Sequence, residues 1–517
     1  MLGNIWNIWI DTGGTFTDCL ATSPKGETFR IKVLSTSGLR ARIEEIQKPT
    51  QLTISQNWQA PDDFPLGFKA ALLTDPGKAC TVVGFDSATS TLFLDSALPM
   101  GTDKHPVIEL QSGYEAPILA ARLVTGTPSA KDLPPLRMTL ATTRGTNALL
   151  EQKGAEVILF ITQGFEDLLE IGTQQRPRLF DLDICKRNPL HKVSIGITER
   201  LNASGQIIIP FDPLRVEKQI KDLPGNNSCA AAVVLAHSYV NPEHESQLKE
   251  QLKKKGFRWI SCSTDLSRSI KLLPRAETTV VDAYLSPIMN RYLGKVEKDL
   301  PKGNLLIMTS SGGLVTRRHF HPKDSLLSGP AGGVVGAASA GKACNLDRLI
   351  SFDMGGTSTD VARFEGDFNY RFDLKIGNAR VFAPCLRIET VAAGGGSICG
   401  FRNGFLHVGP ESAGAHPGPA MYGAGGPLTL SDVNALLGRL DSTLFGIPID
   451  LEASQNQCEA LLISINNSTA QSLTRESLLQ GYLDIADEIM ADAIRKVSVR
   501  EGYDPSEYAL TAFGGAG

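Results

Sequence analysis

The chain has 517 residues, of which 42% are hydrophobic and 21% charged, and a formal net charge of −4. That length exceeds one ordinary core and calls for roughly two to four domains. The slight negative charge offers no electrostatic footprint for nucleic acid, and no apolar run reaches the roughly 18 residues that a membrane helix needs.

No basic leader or long apolar core opens the chain, so no signal peptide is expected. The 9 cysteines are scattered without a CxxC pair. That spacing argues against a zinc or disulfide framework and fits reduced thiols in the cytoplasm.

In chain order, residues 5–10 and 15–21 read as two strands joined through Gly13-Gly14, as in a tight hairpin whose central residues take positive φ. Residues 50–135 read as a β-rich insertion: TVVGFDSATSTLFLD alternates around a polar turn, and VIELQSGYEAPILAARLVTG continues in that style. From residue 139 strands and helices alternate, with buried strands at AEVILFIT and CAAAVVLAHS and a long helix at ETTVVDAYLSPIMNRYLGKVEKDL. NLLIMTSSGG and RLISFDMGG read as strands that end in glycine turns. Late in the chain, Leu479, Tyr482, Leu483, Ala486, Ile489, Met490, Ala493, Ile494 and Val497 form a helical packing stripe. Such alternation predicts α/β layers. Two lobes are expected, 1–200 with the insertion and 201–517.

One octapeptide occurs twice, as DTGGTFTD at 11–18 and DMGGTSTD at 353–360. Each copy follows an apolar strand. Glycines at a turn expose backbone N–H groups that can nest an anion, and a carboxylate at the strand end can hold Mg²⁺ directly or through water. Gly13, Gly14, Thr15, Gly355, Gly356 and Thr357 are therefore the candidate phosphate donors. Asp11 and Asp353 are the catalytic and metal-holding candidates. Asp18 and Asp360 are bases or turn-closers, the structural role being preferred. No G-x-x-x-x-G-K-[ST] and no strand-linked G-x-G-x-x-G is present. Gly514 and Gly515, in TAFGGAG, could approach a base or ribose. Gly394 and Gly395 could line the phosphates or simply form a tight turn. GPAGGVVGAASAG at 329–341 opens a helix whose glycines serve close packing or an anion site. His416 is the histidine most open to a ligand role.

Two phosphate hairpins followed by a glycine turn resemble the actin, hexokinase and Hsp70-like ATPases, which implies a two-lobed α/β ATPase fold. TTRGTNALLEQKG at 142–154, LLSGPAGGVVG at 326–336, ETVAAGGGS at 389–397 and VGPESAGAHPGPAMYGAGGPLTLSD at 408–432 narrow this. Together they resemble the hydantoinase A/5-oxoprolinase family, and its ATP-binding, A-type half in particular. The resemblance implies an ATP-dependent cyclic amide hydrolase that opens 5-oxo-L-proline to L-glutamate. An N-methylhydantoinase or ketone carboxylase subunit is the alternative. Implied with it are ATP, Mg²⁺, a monovalent cation as a further candidate, a B-type partner half, and an oligomer. Thr12 and Arg144 depart from the family pattern and leave the ring open. A sugar-kinase-like enzyme or an actin-like scaffold would also carry the two hairpins, but neither accounts for the 408–432 segment.

Overall fold

The computed structural model describes residues 5–14, 16–56, 58, 60–99, 106–176, 179–184, 188–223, 229–300, 304–414, 416–441, 449–469 and 472–516. The chain divides into two compact units, one of Met1–Gly329 with Tyr370–Cys385, the other of Pro330–Asn369 with Leu386–Gly517. Among the described residues, no helix is long and apolar enough to cross a membrane, and no disulfide forms.

The first unit contains a six-stranded sheet in the order Leu314–Thr316, Leu305–Met308, Leu136–Thr142, Trp6–Thr12, Phe16–Thr22, Thr28–Leu34. Its three central strands run parallel, and the outer ones are antiparallel to their neighbours. A second, fully parallel sheet has the order His191–Ile197, Glu156–Thr162, Cys229–Val234, Trp259–Cys262. Its middle strands are buried on both faces, which is why they read as unbroken apolar runs. This sheet takes strands from both sides of residue 200. The expected lobe boundary at that residue would cut it, and the compact unit instead runs on to Gly329. The long helix Leu272–Lys298 buries Val280, Val281, Leu285, Met289 and Leu293 in the core of this unit.

The β-rich insertion is a closed barrel of six strands: Gly38–Lys48, Gln51–Ser55, Thr91–Leu94, Asp75–Asp86, Lys69–Leu72 and Val107–Gln111. Leu52, Phe64, Phe68, Leu92, Ile108 and Leu110 are fully buried in it. Closure removes the unpaired edges that an isolated sheet would expose. The barrel starts before residue 50 and ends well before 135. The stretch Ala116–Thr125 does not continue the β pattern but forms a helix, with Pro117 in its first turn and Gly126 at φ 61° ending it. Its small residues sit in the core, where alternation gives no signal.

The second unit is built on a sheet in the order Asp367–Phe368, Thr359–Glu365, Arg348–Met354, Ala509–Phe513, with Glu389–Val391 also paired to Thr359–Glu365. The helix Arg475–Val497 starts at a Thr474/Ser477 capping box. It buries Leu479, Tyr482, Leu483, Ala486, Ala493 and Val497, as the stripe predicts.

Candidate functional site

The repeated octapeptide folds the same way twice. In the first copy Asp11 stands opposite Asp18 and Thr12 opposite Thr17. In the second, Asp353 stands opposite Asp360 and Met354 opposite Thr359. The Gly13 amide donates to the Phe16 carbonyl at 2.9 Å, and the Gly355 amide to the Ser358 carbonyl at 2.9 Å. Each turn thus spans four residues, beginning on the first glycine. None of Gly13, Gly14, Gly355 and Gly356 takes positive φ. That corrects the two-residue Gly-Gly turn expected from the sequence. These glycines keep the backbone bare: Gly14, Gly356 and Thr357 are exposed, and a Cβ on Gly356 would meet nothing within 4 Å. Among the described residues the amides of Gly14, Gly356 and Thr357 donate to nothing. Thr15 lies outside the described residues.

Each hairpin is flanked by a parallel strand that ends in a tight crossing. Leu136–Thr142 runs beside the first, and the following Thr143 amide donates to the Thr12 carbonyl at 2.9 Å. Ala509–Phe513 runs beside the second, and the Ala516 amide donates to the Met354 carbonyl at 2.9 Å. Thr12 and Met354 hold the same place in the repeat. Gly514, at φ 103°, passes so close that a Cβ would lie 2.5 Å from Asp353 Oδ1. Only glycine fits there. Gly514 and Gly515 are exposed next to this carboxylate.

Both strand-end carboxylates lie in cradles of missing side chains. In the first unit a Cβ on Gly329 would come 3.1 Å from Asp11 Oδ1, and in the second a Cβ on Gly333 would come 3.3 Å from Asp353 Oδ2. Farther along the helix Ser328–Ala343, a Cβ on Gly341 would collide with Leu349 Cδ2 at 2.3 Å. Close packing is thus one reason for the glycines of this helix.

Gly394 and Gly395 behave differently from the phosphate-lining expectation. The amide of Gly394 donates to Ser397 Oγ at 2.9 Å, that of Gly395 to the Gly355 carbonyl at 3.0 Å, and that of Gly396 to the Gly356 carbonyl at 2.6 Å. All three residues are buried. Their donors are already engaged, so they brace the second turn from behind. A Cβ on Gly394 would lie 2.7 Å from the Gly355 carbonyl oxygen.

The second acids of the repeats are held by neighbours. Asp18 pairs with Lys32 at 3.3 Å. Asp360 accepts from the Thr390 hydroxyl at 2.5 Å, and burial pushes its carboxyl up to about 6 against the opposing pull of that bond. His416 is exposed on the loop that follows strand Phe405–Ser412. That loop is anchored by Asp432, which is fully buried. Its carboxylate accepts from the amides of Ala420, Met421 and Thr429 and from the hydroxyls of Thr429 and Ser454, at 2.7–3.2 Å.

Sequence reasoning missed two residues beside the first hairpin. The Ser328 hydroxyl donates to the Thr142 carbonyl at 2.9 Å and accepts from the Thr142 amide at 3.3 Å, fixing the end of that strand. Asn147 lies against Gly14, with Nδ2 3.3 Å from the place a Cβ would take. Neither carries a charge or a spacing that could mark it. Tyr292 is buried beneath the same hairpin and donates its hydroxyl to Thr12 Oγ1 at 3.3 Å, while Arg144 stacks 4.6 Å over its ring.

Two family signatures match this chain: hydantoinase/oxoprolinase over residues 275–517, and the hydantoinase/oxoprolinase N-terminal region over residues 121–256. The chain belongs to the hydantoinase/oxoprolinase family. Hydantoinase/oxoprolinase relatives include 5-oxoprolinase 1 of Arabidopsis thaliana, 38% identical over 73% of this chain and 33% of that one. Caprolactamase subunit alpha of Pseudomonas jessenii is 32% identical over 72% of this chain and 56% of its own length. The chain therefore spans about a third of the 5-oxoprolinase and little more than half of the caprolactamase subunit. The crystal structure of the ATP-dependent caprolactamase from Pseudomonas jessenii superposes with a TM-score of 0.67 at 25% identity, over 98% of this chain and 65% of that one. Nucleotide-free acetone carboxylase gives a TM-score of 0.68 at 21% identity, over 99% of this chain and 65% of that one. The fold is that of the actin-like ATPases.

Proposed function

We propose that this chain is the nucleotide-binding, A-type half of an ATP-dependent cyclic amide hydrolase, with 5-oxo-L-proline as substrate. The observation that carries the reading is the duplicated hairpin, whose bare amides and adjacent carboxylate are built alike in the two units. The 38% identity to a 5-oxoprolinase supports the choice of ring.

The amides of Gly14, Gly356 and Thr357 would bind phosphate oxygens. Asp11 and Asp353 would hold Mg²⁺, and their glycine cradles suit that role because a Cβ would fill them. Among the described residues no three ligand side chains cluster as a metal site, so phosphate oxygens and water would complete the shell. When bound, Mg²⁺ neutralises phosphate charge. Gly394 and Gly395 are reassigned to holding the second turn in place, and Gly514 and Gly515 to approaching the nucleotide beside Asp353.

A lactam is a poor electrophile because its nitrogen lone pair is delocalised into the carbonyl. Transfer of the γ-phosphoryl group solves this. A bond forms from the lactam carbonyl oxygen to phosphorus as the bridging P–O bond breaks and ADP leaves. Water then adds to the ring carbon, and the C–N bond breaks as nitrogen takes up a proton. A second water converts the acyl phosphate to the carboxylate and phosphate. The chain's part is to position and hold charge. A B-type half would supply the water-attack steps; the short coverage of the relatives and the name "subunit alpha" support such a partner. We assign the cytoplasm as its compartment.

The test is ADP release by the purified protein, with its partner half, given 5-oxo-L-proline, caprolactam, N-methylhydantoin or no substrate. Stimulation by 5-oxo-L-proline above the others is expected. Release that no cyclic amide changes would sink the proposal.

A further inference from the structure

We propose that Asn147 donates its side-chain amide to a phosphate oxygen of the nucleotide at the Gly13–Gly14 turn, an assignment that rests on the nucleotide reading above. Asn147 lies on the helix Arg144–Leu150, which begins right after the strand flanking the first hairpin. That entry is pinned to the hairpin through one atom. The Thr12 carbonyl accepts from the Thr143 amide at 2.9 Å and from the Thr143 hydroxyl at 3.2 Å. The Asn147 amide in turn donates to the Thr143 carbonyl at 2.9 Å. The hairpin itself therefore fixes where the Asn147 side chain stands.

That side chain is directed at the bare backbone of the turn. Its Nδ2 lies 3.3 Å from where a Cβ on Gly14 would be, and Gly14 is exposed with its amide undonated among the described residues. Among those residues the carboxamide makes one hydrogen bond, from Nδ2 to Thr143 Oγ1 at 3.5 Å, the outer limit for such a bond. At that length the contact holds Nδ2 only loosely. One N–H of the carboxamide remains for a ligand. A carboxamide is neutral at every working pH and carries two donors. Beside the Gly14 amide it makes a pair of donors converging on one oxyanion, a grip that works without added charge.

The bland alternative is a polar residue that merely fills space over a glycine. Two substitutions separate the readings. Asn147→Asp keeps the shape and turns the donor into a negative acceptor. Asn147→Ala removes the shape. ATP binding to the purified protein in the presence of Mg²⁺ is measured by calorimetry, and thermal unfolding without nucleotide is followed in parallel. We expect affinity to fall about tenfold in the Ala variant and further in the Asp variant, as loss of a bond to a charged group implies, with unfolding midpoints little changed in Asp. A space-filling role gives the reverse order, with Asp near wild type and Ala worse. That order, or wild-type affinity in the Asp variant, would overturn the assignment. Should the Asp variant fail to fold, Asn147→Leu serves in its place: similar in size and without donors, it should lose about tenfold, and unchanged affinity overturns the proposal. If the wild-type protein binds no nucleotide, the site reading itself fails, an outcome distinct from the failure of Asn147 alone.

Discussion

Asp353 faces Asp360 directly across the second hairpin. Like charges in that position repel, and adjacent strands tolerate them only when something offsets the charge. The first hairpin has the same arrangement in Asp11 and Asp18, and there Lys32 offsets it at 3.3 Å. In the second hairpin no such cation is paired with Asp360 among the described residues. A threonine hydroxyl and partial burial stand in its place. The two copies of the repeat therefore differ in what stands beside the acid that faces the strand-end carboxylate: a lysine in the first, a threonine hydroxyl in the second.

A pH dependence follows from that difference. The Asp360 carboxyl is raised from 3.8 to about 6 in the folded protein. A raised folded pKa gives stability that is present below the unfolded pKa and lost as pH rises through the folded one. The window is about pH 4 to 6, and the loss is on the order of 3 kcal/mol. Asp360→Asn keeps an acceptor for Thr390 and removes the charge. Without nucleotide, it should melt a few degrees above wild type at pH 8 and match it at pH 4. Equal or lower melting at pH 8 would show that the charge is compensated.

The strand-end carboxylates should behave otherwise. Asp11→Asn and Asp353→Asn each remove one charge with little change in volume. Each is expected to reduce Mg²⁺-dependent ATP turnover by about a hundredfold or more, the scale of losing one charge-stabilising group at a reacting phosphate. Circular dichroism and melting should stay near wild type. Turnover retained in both variants would remove them from the metal site.

The hairpins were legible because the octapeptide couples acid, glycine pair and hydroxyl at fixed spacing, and the copies match. The helical stripe at Leu479–Val497 was legible because its period is long and unbroken. Other parts were not, for physical reasons. A glycine run looks the same whether it bares its backbone to a ligand or packs against another backbone. Gly356 leaves its backbone open to solvent, whereas Gly394 packs against another backbone. The helix Ala116–Thr125 is small and buried, so it lacks a polar face to give a period. The boundary at 200 failed because strand pairing across it, as between Glu156–Thr162 and Cys229–Val234, is a long-range contact that local pattern does not encode. Asn147 left no mark because its role depends on which turn lies opposite.

Asp432 organises the glycine-rich loop, and its loss should be felt there first. It is a fully buried carboxylate accepting from three amides and two hydroxyls. Asp432→Ala strands those donors, which is expected to destabilise the second unit by about 3 kcal/mol or more. Asp432→Asn should cost less, since one oxygen still accepts. Limited proteolysis should cut within residues 413–428 in the Ala variant well below its melting temperature. A cleavage pattern like that of wild type would mean that the loop is held by other contacts.

The last prediction uses two glycines on opposite sides of one turn. Gly356 is exposed, its φ is not positive, and a Cβ there would meet nothing within 4 Å. Gly356→Ala should therefore leave the melting temperature within about a degree of wild type, as for a surface substitution of roughly 0.5 kcal/mol or less. The new methyl group would stand over the amide that is to meet phosphate, so ATP affinity should still fall. Gly394 is buried, and its Cβ would lie 2.7 Å from the Gly355 carbonyl oxygen and 2.7 Å from the Ser358 amide nitrogen. Backbone cannot rotate away as a side chain can, so Gly394→Ala should destabilise by about 1–3 kcal/mol. It should also weaken ATP binding, by moving the turn that Gly395 and Gly396 hold through the Gly355 and Gly356 carbonyls. The two variants then separate by melting temperature while sharing a binding defect. If Gly356→Ala binds ATP as wild type does, the exposed face of the turn is not where phosphate meets the protein.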